Sequence, residues 1–374
     1  MIRNTFHNSN LSFRDKFFNL DFILIFLVLA LGVISFFTMY STEMGIFNYY
    51  TKSHVYRFII FFILFIAISF LDVKVWYKGA YPFYILILIL LLAVDIFGVT
   101  SSGSKRWINL FVFNLQPSEL MKIALILFLA RYYNKIPYSS VSQLKFIIVP
   151  IFALFIPVTL VIKQPDLGTS LIIAMGGLTI IWLAGIRLKY FMFSFVSLLC
   201  MLPVVISLLK PYQKLRILTF LNPERDPLGA GYQIIQSKIA IGSGGIFGKG
   251  FLKGSQSYLD YLPEKHTDFI FTLFPEEFGF FGSIILLFIY IFIISRITAI
   301  GHLAKNNFSK LFCYGFAASF FIYVAVNMSM VLGLLPIVGA PLPILSYGGS
   351  SMLAMMMGLG IVMSCKINNK DSAD

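Results

Sequence analysis

Long apolar runs alternate along this chain with short polar connections, and the runs have the length of membrane spans. A spanning helix needs about 20 mostly apolar residues. Ten runs qualify, at roughly 21–40, 57–71, 81–98, 116–132, 146–163, 168–185, 190–209, 270–294, 311–334 and 350–364. The pattern predicts an all-α polytopic membrane protein of about ten transmembrane helices. Hydrophobic residues are 59% of the chain and charged residues 12%, against roughly a quarter charged in soluble domains. So little charge cannot cover a water-facing surface, and an ordinary soluble enzyme is excluded. The 41 phenylalanines suit lipid-facing and bundle-packing positions.

In a soluble protein the net charge of +13 would raise nucleic acid as a partner. In a membrane protein no nucleic acid is expected, and the position of the charge matters more. Lysine and arginine mark cytoplasmic loops. One alternating set of connections carries Arg3, Arg14 and Lys16; Lys74 and Lys78; Arg131, Lys135 and Lys145; Arg187 and Lys189; Arg296, Lys305 and Lys310; and Lys366 and Lys370. These fifteen of the 29 basic residues are expected to be cytoplasmic, with both termini. The other side is sparse except in 210–268, a large extracytoplasmic loop expected between spans 7 and 8, within a single domain covering 1–374. It holds Lys210, Lys214, Arg216, Arg225, Lys238, Lys249, Lys253 and Lys265. Either a long loop crosses regardless of its charge, or this one handles an anion. Cys200, Cys313 and Cys365 form neither a disulfide framework nor a metal spacing. His7, His54, His266 and His302 do not cluster. About twenty mostly polar residues before the first apolar run argue against a cleaved signal.

Residues 242–254, GSGGIFGKGFLKG, carry six glycines. A P-loop would need Gly at 243 and Ser or Thr at 250, where Ser243 and Gly250 stand, and a dinucleotide GxGxxG starting at Gly242 fails at Phe247. Glycine there serves a close backbone approach to a ligand, a tight turn or plain flexibility. Next, 262–271 reads LPEKHTDFIF. Thr267 suits a helix N-cap, which leaves Asp268 in the first turn with Glu276 and Glu277 deeper. Ionisable residues at membrane depth are candidates for function. The helix dipole alone also favours an acid at 268, and bundle contacts alone would account for the glutamates.

After the third span, GSKRW at 103–107 offers Lys105 and Arg106 to a phosphate, and Trp107 suits an interfacial anchor. QPSELMK at 116–122 puts Pro117 at a first helical position and Glu119 and Lys122 on one helix face, able to pair. That pair is either structural or faces a cavity. QPDLGT at 164–169 repeats the Gln-Pro-acid arrangement at another helix start. LPIVGAPLPILSYGGSS at 335–351 has three prolines, a break tolerated at membrane depth only where backbone is buried or lines a cavity. All of these fall on the outer side. Their convergence implies an outward-facing cavity with several cations and one or more carboxylates.

Taken together, GSKRW at 103–107, QPSELMK at 116–122, QPDLGTS at 164–170, NPERDPLGAGYQIIQSKIAIGSGG at 222–245, LPEKHTDFIF at 262–271, EEFGFFG at 276–282 and GAPLPILSYGGSS at 339–351 resemble the SEDS family (shape, elongation, division and sporulation). The likeness is to its RodA-type, cell-elongation form more than to its division form. It covers nearly the whole chain; Phe111 departs from it, since relatives often carry Gly there. The resemblance implies a peptidoglycan glycosyltransferase that polymerises lipid II, an undecaprenyl-pyrophosphate disaccharide-pentapeptide, at the outer face of the bacterial cytoplasmic (inner) membrane. It implies work with a class B penicillin-binding protein transpeptidase and rod-complex membrane proteins. It also matches Asp268 to the family's essential aspartate.

Turning an α-linked sugar pyrophosphate into a β-linked glycan by direct inversion needs a base for the acceptor hydroxyl. It also needs cations on the departing pyrophosphate. Asp268 is the expected catalytic base. The substrate-binding candidates are Lys105, Arg106, Glu119 with Lys122, Lys214, Arg216, Lys238, Lys249, Lys265 and His266. Arg106 and Lys122 stand foremost because their motifs sit beside a helix start. No cofactor is read from the sequence, and a divalent cation held by Asp268 and pyrophosphate oxygens stays open. Two other readings stand beside the polymerase. A lipid II flippase should need substrate-contacting charges facing the cytoplasm or the midplane. A non-enzymatic scaffold that activates its transpeptidase would not need Asp268.

Overall fold

The computed structural model describes residues 12–101, 104–109, 114–208, 211–226, 229–255 and 264–369. Arg3, His7, Gly103, Phe111, Lys210, Leu262, Pro263, Lys370 and motif positions 227–228 lie outside them. Each predicted run is a helix. Among the described residues, seven helices are long and apolar enough to cross a membrane: α2 (Phe22–Thr42), α3 (Tyr49–Ser69), α4 (Val73–Phe97), α6 (Leu144–Lys163), α11 (Ile270–Leu303), α12 (Asn307–Val331) and α13 (Gly349–Ile367). The three remaining runs are α5 (Pro117–Asn134), which carries Glu119, Lys122 and Arg131, the 17-residue α7 (Leu167–Leu183), and the apolar α8 (Leu188–Leu208). A short α1 (Phe13–Phe18) precedes them.

Several helices start earlier than their apolar runs. α3 begins at Tyr49 rather than 57, because Thr51 and His54 in its first turns find partners inside the bundle while their neighbours face outward. Thr51 donates its hydroxyl to Glu43, and His54 Nε2 lies 2.5 Å from Ser35 Oγ. α5 and α13 are enclosed nearly all round, and α12 packs on α5, α7 and α11. These helices form the centre. α2, α3, α4 and α6 surround it and turn large apolar side chains such as Phe26, Ile60, Ile89 and Phe155 outward, as helices facing lipid do.

The expected all-α architecture has one small addition. After α4 the chain forms an antiparallel sheet in the order β1 (Val99–Ser101), β2 (Ser104–Asn109), β3 (Asn114–Leu115). The long segment before α11 also folds onto the bundle, as α9 (Pro211–Leu221) and α10 (Ala230–Ser243), with α10 against α11 and α12.

The glycine-rich stretch has a definite job. α11 breaks at Gly279, whose φ of 67° and ψ of −163° are open essentially to glycine alone. A broken helix leaves backbone groups without partners. Residues 245–250 supply them: Lys249 N–H donates to Glu276 O (3.0 Å), Gly250 N–H to Glu277 O (3.0 Å), Phe280 N–H to Gly245 O (2.9 Å) and Phe281 N–H to Ile246 O (3.2 Å). A Cβ on Gly248 would stand 2.1 Å from Glu277 O. The glycines thus permit a close backbone approach, with the chain's own helix as the ligand.

Contrary to the expectation from the sequence, Thr267 does not cap α11. Residues 264–269 form a tight turn in which Phe269 N–H donates to Glu264 O (3.2 Å) and the Thr267 hydroxyl to Glu264 Oε2 (2.8 Å). The N-cap is Phe269, so Asp268 stands on the turn, just ahead of the helix.

Candidate active site

Three of the sequence motifs meet at one end of the bundle. Glu119 and Lys122 lie one turn apart near the start of α5, each about 3% exposed, with Lys122 Nζ 2.7 Å from Glu119 Oε1. Tyr323 of α12 donates its hydroxyl to Glu119 (3.0 Å), and Lys122 Nζ lies 3.9 Å from the centre of the Tyr323 ring. Such contacts help to offset the desolvation that a buried pair suffers. Gln116 donates its side-chain amide to Asp166 Oδ2 (3.2 Å) and its backbone N–H to Ser350 Oγ in α13 (2.8 Å).

Asp166 ties the node together. It caps α7, accepting from Thr169 N–H (3.1 Å) and the Thr169 hydroxyl (2.9 Å). Arg106, on β2, reaches the same carboxylate at 3.5 Å and donates to Pro165 O at 2.6 Å. The Gln-Pro-acid repeat was therefore the visible signal for a residue that the sequence analysis did not assign to the site.

Asp268 faces this node. Asn327 of α12 holds its backbone carbonyl at 2.9 Å and also donates to Ala340 O at 2.6 Å, joining the turn to the loop before α13. That loop passes close to the carboxylate at Gly339, whose φ of 72° suits glycine; a Cβ there would just touch Asp268 Oδ2, at 3.5 Å. Burial pushes the carboxyl pKa up to about 7, helped by the negative charges of Glu264 and Asp166 and opposed by Arg216 and Arg106. A carboxylate poised near neutrality suits a general base. Arg216, on α9, is exposed and donates to Ile337 O at 3.3 Å.

Other candidates are placed elsewhere. Lys105 turns away to the C-terminal end of α4, donating to Asp95 O (2.8 Å) and Ile96 O (3.0 Å). This is a normal use of a cation at a helix end. Lys249 pairs at 2.7 Å with the fully buried Glu276 beside the α11 break. Glu277 there accepts from the Ser41 hydroxyl. Lys214 donates to Ser207 O (3.3 Å). Lys238 is exposed on α10 with its stem against Gly333. Lys265 is buried and engaged within the protein. His266 fastens the turn: its Nδ1 lies 2.9 Å from Thr42 Oγ1, its ring stacks on Tyr50 (4.3 Å), and its carbonyl accepts from Tyr347 N–H (2.8 Å). The fold thus gathers Arg106, Glu119, Lys122, Arg216 and Asp268, and adds Gln116, Asp166, Tyr323 and Asn327. Among the described residues, no three His, Cys, Asp or Glu side chains gather as a metal site.

Residues 18–371 match the FtsW/RodA/SpoVE family of cell cycle proteins. The chain belongs to this family. Its FtsW/RodA/SpoVE relatives include the peptidoglycan glycosyltransferase MrdB of Escherichia coli (strain K12), 46% identical over 296 residues, or 79% of this chain and 80% of that one. The fold is similar to a chain of a peptidoglycan synthase complex whose structure concerns the coordination of polymerization and crosslinking. That match has a TM-score of 0.81 at 32% identity, covering 95% of this chain and 99% of that one. It is also similar to the Thermus thermophilus rod shape determining protein RodA, with a TM-score of 0.69 at 26% identity over 95% and 98% of the two chains. Like them, this FtsW/RodA/SpoVE member is a helical, multi-pass membrane protein.

Proposed function

We propose that this chain is a peptidoglycan glycosyltransferase of the elongation type, polymerising lipid II at the outer face of the cytoplasmic membrane. The names and structures of its relatives support the activity. The observation that carries the assignment of the site is Asp268: a carboxyl held by the turn before α11, its pKa pushed up to about 7, within the fields of Arg216, Arg106 and Asp166, the last of which also acts on the buried Lys122. In the proposed reaction Asp268 accepts the proton of the acceptor sugar hydroxyl. The freed oxygen attacks the anomeric carbon from the side opposite the pyrophosphate, and the carbon–oxygen bond to the pyrophosphate breaks. The departing charge is met by Arg106 and Arg216. Asp166 holds Arg106 in place, and Glu119 and Lys122 back Asp166 from within the bundle. A bridging divalent cation is compatible with this scheme and no step depends on it.

Ten crossings with both termini cytoplasmic belong to the same proposal, as does a transpeptidase partner of the penicillin-binding type. The synthase complex among the structural relatives supports that partner. The test is to supply fluorescent lipid II to the purified protein with its transpeptidase, and to resolve the products by size. Glycan chains from the wild type, lost in Asp268→Ala, are expected. Chains formed equally by the variant would leave a scaffold with another polymerase. Lipid transfer across liposomes without chains would leave a flippase.

A further inference from the structure

The far end of the bundle holds a second built site, unrelated to the Asp268 node. A cavity of about 450 Å³ lies between α2, α11 and α13, lined by Asp21, Arg296, Lys305 and Lys366 together with Phe18 and Leu303. Asp21 is 1% exposed and spends both carboxylate oxygens within the protein. Oδ1 accepts from Leu24 N–H (2.9 Å), capping α2, while Oδ2 accepts from Arg296 (2.5 Å) and Lys366 (2.9 Å). One carboxylate therefore serves two cations, each with about a third of its side chain exposed. Lys305 adds a third cation at the rim. The formal balance in the cavity is two positive charges. Moreover, the buried Nε of Arg296 has no hydrogen-bond partner among the described residues. Arg296 and Lys366, which share one carboxylate and keep about a third of each side chain exposed, make with Lys305 at the rim a cationic donor set that suits a phosphate.

The surroundings identify the source of the phosphate. Phe18 and Leu303, at 66% and 69% exposed, flank the cavity mouth. Beside it α1 carries the exposed Phe13 and Phe17 along with Arg14 and Lys16, and Lys16 anchors to Phe70 O (2.9 Å). An apolar rim around a cationic pocket, next to a short aromatic and basic helix, fits the membrane–water boundary. We propose that this pocket binds the phosphate of an anionic glycerophospholipid, with the acyl chains lying along Phe18 and Leu303. The site clamps α2, α11 and α13 through one lipid headgroup. Lipid retention is read independently of glycan synthesis, so the result does not depend on the reaction at Asp268.

The test is native mass spectrometry of the full chain in detergent with equal phosphatidylglycerol and phosphatidylcholine. Retention of one phosphatidylglycerol, at least about fivefold over phosphatidylcholine, is expected. Lys305→Gln, which leaves the Asp21 clamp intact, should cut that preference about fivefold, the effect of one cation near an anionic headgroup. Arg296→Gln should abolish it. Equal retention of the two lipids overturns the proposal, as does a preference unchanged in both variants. Occupancy by millimolar inorganic phosphate without lipid, or by an acidic protein segment in place of lipid, also overturns it.

Discussion

Asp268 combines a position on a turn, ahead of a helix, with a pKa near 7. If it is the base, the polymerisation rate should rise with pH through about 7 and level off above it. Arg216→Gln removes a cation that favours the carboxylate, so the pH–rate profile should move upward; Glu264→Gln removes an opposing charge and should move it down. Burial raises the folded pKa above the ordinary 3.8, so protonation stabilises the fold. That contribution is complete below about 4 and is lost as pH rises through about 7. Thermal unfolding should therefore show the wild type losing stability relative to Asp268→Asn across this window. A second residue-scale outcome concerns the buried pair. Glu119→Gln strands Lys122 and should cost about 3 kcal/mol, whereas Glu119→Gln with Lys122→Met should regain much of that stability without regaining activity. Glu119 and Lys122 were legible from their spacing, as was Asp268 from its motif. Asp166 was not assigned, because a repeated Gln-Pro-acid arrangement at a helix start names no partner for the acid; it caps α7, and only the fold shows that Arg106 and Gln116 share it.

At the scale of elements, the α11 break sets apart the outer part of the helix that follows Asp268. The outer part of the helix, from Ile270 to Gly279, is held by the strap at 245–250 rather than by its own continuation. Gly279→Ala should cost about 1–3 kcal/mol from its backbone conformation alone. It should also lower polymerisation more than stability predicts, because the strap holds the outer part of α11, which begins two residues after Asp268; thermal shift and glycan yield on the same preparations would show the split. Lys249→Met leaves Glu276 buried beside the break and should be destabilising, again read by thermal shift. The helices themselves were legible because apolar runs of span length have one economical fold in lipid. The strap was not, since six glycines in thirteen residues fit flexibility, turns and close approach equally, and the partner backbone lies 27 to 35 residues further along the chain. The small sheet after α4 escaped for a similar reason: strands of two to six residues leave too short a pattern.

For the whole molecule, the bundle is polarised. Its motifs gather at one end, and its orienting cations, with the Asp21 clamp, at the other. Single cysteines at Lys214 and Lys310, in a chain stripped of its own three cysteines, should label from opposite sides of intact cells; the first should react with an impermeant thiol reagent, the second only after permeabilisation. Both reacting from outside would overturn the proposed orientation. The central claim is that the polar end of the bundle makes glycosidic bonds through Asp268. The most direct measurement is the initial rate of glycan formation from lipid II, for wild type and Asp268→Asn at matched folding and pH 7.5–8 with the transpeptidase present. A rate at least about 100-fold lower in the variant is expected from losing a general base, while an asparagine variant polymerising at the wild-type rate would contradict the assignment.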